Sequence, residues 1–208
     1  VPQRWLPTAT VLVAANLVPL VGVVAFSWDV FTVVFLFWLE NVVVGLFNVL
    51  RMLWVERGAE RMPVAKVALI PFFLVHYGMF TAVHGVFVFA LFGRAAEIGG
   101  FPTVANVVDV IVQNHLWVAV FALVLSHGYS FVRNYVEAQE YRRVTLQQLM
   151  ARPYSRIVVL HVTILGGGFL VMALQLPAAA VAMLVGLKVW IDVRAHLREH
   201  HGLQPATV

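Results

Sequence analysis

Apolar residues in this chain keep neither the alternation of a half-buried strand nor the single stripe of a surface helix. They collect in six runs, at about 7–26, 30–55, 67–91, 115–137, 155–174 and 178–198, parted by short polar connections. Each run approaches or exceeds the ~20 residues that carry an α-helix across a bilayer. The pattern predicts an all-α, polytopic transmembrane helical bundle of six spans, forming a single domain over residues 1–208. Pro7 suits a helix start, Pro19 a kink and Pro71 the first turns of its run. Ser27-Trp28-Asp29 and Gln175-Leu176-Pro177 read as tight turns. In the longer connection, Gly99-Gly100-Phe101-Pro102 marks a turn, and Thr103 to Val112 reads as a short helix at the membrane interface. Trp5, Trp28, Trp54 and Trp117 stand where interfacial anchors belong.

Composition sharpens the class. Of 208 residues, 62% are hydrophobic and 12% charged, against about a quarter charged in soluble domains. Mean hydropathy is +0.89 and the pI about 9.9. The net charge of +4 would suggest nucleic acid in a soluble protein. Here the basic residues cluster beside the apolar runs, where their first meaning is topology. They crowd the amino end, the second and fourth connections and the carboxyl end, while the other three connections hold only Arg94. That alternation fits six spans and places both termini in the cytoplasm. The expected partner is the lipid bilayer and not nucleic acid; a homo-oligomer is left open. The start, Val1-Pro2-Gln3-Arg4-Trp5, does not read as a secretory signal. With no cysteine, disulfides, thiolate metal sites and cysteine nucleophiles are excluded.

The chemistry lies in polar residues inside the runs. The second carries Glu40, Asn41, Gly45 and Asn48, and the third His76, Tyr77, Thr81 and His84. The fourth carries His127, Ser130, Asn134 and Glu137, with Arg133 beside them. The fifth carries His161 and the triplet Gly166-Gly167-Gly168, which permits close helix contact. The sixth carries Lys188, Asp192 and His196 on one face. Counting from the basic flanks puts Glu40 about 16 Å deep, and His76 and His127 about 15 Å. Lys188 falls near that level, His161 nearer the cytoplasm, and His84 two turns further out than His76. One carboxylate and two imidazoles at one depth are ligands suited to a divalent metal, zinc or iron above all. The expected set is Glu40, His76, His127 and His161, with His84 the rival for fourth ligand. Asp192 and His196, at i and i+4, form a second set. Glu40, His161 and Asp192 are the catalytic candidates. The structural alternatives are an ion pair of Glu40 with Lys188 or Arg133, and hydrogen bonding between helices through His127, Ser130, Asn134 and His161.

Phe37-Trp38-Leu39-Glu40-Asn41, Ser126-His127-Gly128, His161 and the Lys188, Asp192, His196 pattern resemble a prokaryotic family of integral membrane proteins of unknown function. The resemblance covers most of the chain. It implies a six-helix membrane protein, with the bacterial inner membrane as its place, and supplies no reaction. A rhomboid-type intramembrane serine protease also has six helices, but no Gly-x-Ser-x-Gly-like turn occurs here: Ser126 lies between Leu125 and His127. The functional expectation is a buried Glu/His metal site, as in a membrane metalloenzyme acting on a lipid-soluble or membrane-embedded substrate. The alternatives are a proton- or cation-coupled transporter, a haem protein with axial His76 and His127, and a structural membrane subunit.

Overall fold

A computed structural model describes residues 28–56, 62–92 and 102–174, with Gly22 and Gly186. The first and sixth expected spans, and with them Lys188, Asp192 and His196, lie outside the described residues. Those described are helical, with no strand among them. The elements are α1 (Val30–Trp54), α2 (Met62–Leu91), α3 (Val104–Gln113), α4 (Trp117–Ser130, continued as a π-helix over Phe131–Glu137), α5 (Leu146–Ala151) and α6 (Tyr154–Leu174). α1 and α2 are each long and apolar enough to cross a membrane, and the bent pair of α3 with α4 adds a third candidate if it is one span. The six spans and the placement of the termini therefore go beyond what the described residues support.

α1 is the central element, and α2, α4, α5 and α6 all pack on it. It starts where the Asp29 carboxylate accepts a hydrogen bond from the Thr32 amide at 2.8 Å, satisfying an orphan donor of the first turn. It ends at Val55, whose backbone is extended. Two of its last carbonyls are met from other elements: Arg51 O accepts from the Tyr135 hydroxyl at 2.7 Å and Leu53 O from Lys66 Nζ at 2.7 Å. α2 starts a turn before the expected Val67, with Pro63 in its first turn, where the missing N–H costs nothing. The short helix expected after the third run is α3, opened by a Thr103/Asn106 capping box. It meets α4 at a bend of 111°. His115 turns that corner with φ 53°, a left-handed conformation rare for a side chain with a Cβ.

Two apolar clusters hold the bundle. The upper one joins the first turns of α1, Val30 to Leu39, to Val88 and Phe89 of α2, Leu116 and Ala119, and Leu160 and Ile164 of α6. The lower one joins Met52 and Val55 to Ile70, Phe73 and Tyr77, to Tyr135, to Val144, Leu146 and Leu149, and to Ile157. Large apolar side chains also cover the outside: Val67, Phe72, Val75, Met79 and Phe87 of α2 are exposed, as are Trp117 and Phe121 of α4. A bundle apolar both inside and out suits a lipid surrounding. A Cβ on Gly166 would meet none of the described residues within 4 Å; the rest of the expected glycine contact and the sixth run lie outside the described side chains.

Candidate functional site

Between the two clusters, α1, α2 and α6 bring polar groups together. α1 and α2 run antiparallel at close range because two glycines admit aromatic rings. A Cβ on Gly45 would stand 2.5 Å from Tyr77, and one on Gly85 would stand 2.9 Å from Trp38. Both rings are fixed by hydrogen bonds to the facing backbone. Tyr77 Oη donates to Asn41 O at 3.0 Å, and Trp38 Nε1 donates to Thr81 O at 2.7 Å. Those carbonyls already serve their own helices, so the bonds use second lone pairs. Thr81 Oγ1 donates back to Tyr77 O, and Asn41 Nδ2 to Phe37 O. The Oδ1 atom of Asn41 is buried without a partner.

α6 runs parallel to α2 and adds three contacts. Arg156 Nη1 donates to Glu40 Oε1 at 3.0 Å. The Tyr154 hydroxyl and His76 Nδ1 are 2.6 Å apart. His84 Nε2 and His161 Nδ1 are 3.0 Å apart. In this last pair the proton positions follow from the acceptor below it. His84 Nδ1 lies 2.7 Å from Phe80 O, a carbonyl that can only accept, so Nδ1 carries the proton. Nε2 of a neutral His84 is then bare, and His161 Nδ1 donates to it. The chain ends on His161 Nε2, a bare nitrogen on a ring whose residue is exposed. The three contacts are not one wire. Ile157 and Leu160, both buried, lie on α6 between the lower pairs and the imidazole pair.

The expected ligands are thus distributed. Glu40 meets Arg156, His76 meets Tyr154, and His161 meets His84 rather than competing with it. His127 lies on α4, its ring 6.2 Å from that of Phe47. Among the described residues no three or more His, Asp or Glu side chains gather closely enough to hold a metal ion. His76 and His127 sit in different helix contacts, His76 against Tyr154 of α6 and His127 against Phe47 of α1. Arg133, one suggested partner of Glu40, pairs with Glu137 at 2.5 Å on the exposed side of its helix. Asn134 bonds Ser130 of its own helix at 3.1 Å, not a neighbour. Asp192 and His196, the second set, fall outside the described residues.

Sequence reasoning missed Arg156, Tyr154 and the inward role of Trp38. A signal was present for Tyr154. Tyr154 and His161 are seven apart and His76 and His84 eight apart, which on parallel helices are nearly equal rises of about 11 and 12 Å. No curated protein and no solved structure matches the chain. One family does, over residues 3–208, and the chain belongs to it: the family of unknown function DUF6498.

Proposed function

We propose that the chain is a multi-pass membrane protein that couples proton movement to passage of a solute, a proton- or cation-coupled carrier. One observation carries this reading: three polar contacts between the side chains of α6 and of α1 or α2 join ionisable groups, Glu40 to Arg156, Tyr154 to His76 and His161 to His84. Helices held only by hydrogen bonds manage with Ser, Thr, Asn and single His residues, whereas intramembrane carboxylates and guanidiniums, and imidazoles gathered beside them, mark pathways and relays. Histidine changes charge near neutral pH, which suits a coupling group. The alternating basic connections support six spans with both termini in the cytoplasm, and the family resemblance supports the bacterial inner membrane. A metal centre on Glu40, His76, His127 and His161 has less support, since each meets a different neighbour.

Proteoliposomes loaded with a pH-sensitive dye test the carrier. A set of external solutes (phosphate, small carboxylates and alkali cations) is added in turn. The expected result is proton flux that requires one solute and is abolished in Glu40→Gln. Wild-type traces equal to those of protein-free liposomes for every solute refute the reading.

A further inference from the structure

Below the Glu40–Arg156 pair, α1 carries a second guanidinium near its carboxyl end. Nε of Arg51 is buried and has no hydrogen-bond partner. Arg51 takes part in none of the salt bridges among the described residues. Its guanidinium carbon lies 5.8 Å from the centroid of the Tyr135 ring. Asn48, one turn before Arg51, donates to Leu149 O, three residues before Arg152, so the end of α5 lies beside this guanidinium, and Glu140 and Arg152 both act on its charge. The carboxylate of that region is engaged: Glu140 accepts from Arg152 Nη1 at 2.6 Å. Two guanidiniums, Arg51 and Arg152, therefore face one carboxylate. The carboxyl end of α1 would offer partial negative charge, but Arg51 O and Leu53 O already accept from Tyr135 and Lys66. A buried cationic donor left without an acceptor is costly, and the missing acceptor is an anion.

We propose that Arg51 and Arg152 form a binding site for a phosphoryl group, with Arg51 supplying a donor that no described residue satisfies. The guanidinium fork matches phosphate oxygens in two-point contact, and several such forks at one place suit a group of more than one negative charge. The group is either free phosphate or the phosphoryl head of an anionic lipid. Equilibrium binding needs no transport, so this site stands or falls independently of the carrier reading.

The full chain is placed in phosphatidylcholine nanodiscs, and inorganic phosphate is titrated calorimetrically at low salt. A parallel arm uses discs containing phosphatidylglycerol, with retained lipid counted by native mass spectrometry. Saturable phosphate binding that weakens about tenfold or more in Arg51→Gln supports the site and names free phosphate. Retention of phosphatidylglycerol by the wild type and its loss in Arg51→Gln supports the site and names the lipid. Arg51→Lys, which keeps the charge without the fork, is expected to fall between. If Arg51→Gln does not fold, Arg152→Gln at the more exposed rim, 42% accessible, carries the same comparison. No saturable binding of either probe, or equal binding by wild type and variants, overturns the proposal.

Discussion

Neutralising Glu40 tests whether Arg156 is its functional counter-charge. At 3.0 Å and an effective dielectric of ~20, the gross attraction is about 5 kcal/mol. Desolvation of both groups offsets much of it. Breaking a fully buried pair costs about 3–5 kcal/mol and an exposed one about 1 kcal/mol or less. Arg156 is 36% exposed and Glu40 18%, so the pair stands between these limits. Glu40→Gln and Arg156→Met are each expected to destabilise the bundle by about 2 kcal/mol, because each removes the counter-charge of a partly buried group. The double variant leaves no charge stranded and should recover most of the loss. The assay is a double-mutant cycle on reversible unfolding in mixed micelles, with a coupling energy of about 1.5 kcal/mol or more expected. A coupling under about 0.5 kcal/mol refutes the assignment. So does equal rescue of Glu40→Gln by Lys188→Met, the partner suggested by counting along the sequence.

Two further outcomes follow from the packing and from the imidazole pair. Gly85→Ala should destabilise by about 1–3 kcal/mol, since its Cβ would stand 2.9 Å from a Trp38 ring pinned to Thr81 O; Gly78→Ala in the same helix meets nothing within 4 Å and should stabilise slightly. Equal shifts for the two in unfolding experiments would contradict the α1–α2 contact. Nitrogen-15 shifts at a pH where both imidazoles are neutral should show His84 and His161 each protonated at Nδ1, and a His161 protonated at Nε2 would break the deduced chain.

The helices that pack were legible because their signal is length and continuous apolarity, which no neighbour alters. The predicted run at about 30–55 became α1 (Val30–Trp54), and the run at about 155–174 became α6 (Tyr154–Leu174). Glu40, His76, His84 and His161 were also found, since an ionisable side chain within such a run is conspicuous wherever it ends up. Their partners were not, because counting depth from basic residues assumes that every arginine beside an apolar run sits in water. Arg156 does not. The chain before it folds up against the end of α1: Asn48 Nδ2 donates to Leu149 O at 2.9 Å, and Val144, Leu146 and Leu149 join the lower apolar cluster. α6 therefore begins within the bundle.

Once α6 is measured from Arg156 at the level of Glu40, the imidazole pair follows by arithmetic. Trp38 meets Thr81 and Asn41 meets Tyr77, which sets Glu40 level with about Met79 of α2. His84 lies five residues beyond Met79, and His161 five beyond Arg156. On parallel helices both rise about 7.5 Å, so the two rings arrive together. The same register explains why the three α6 contacts constrain one another. Sliding α6 by a turn, about 5.4 Å, would carry Arg156 off Glu40, Tyr154 off His76 and His161 off His84 at once, separating a partly buried carboxylate from its guanidinium. Any movement of α6 during a working cycle must then change the protonation of these groups or supply other partners for them, and Glu40 is where that requirement is most severe.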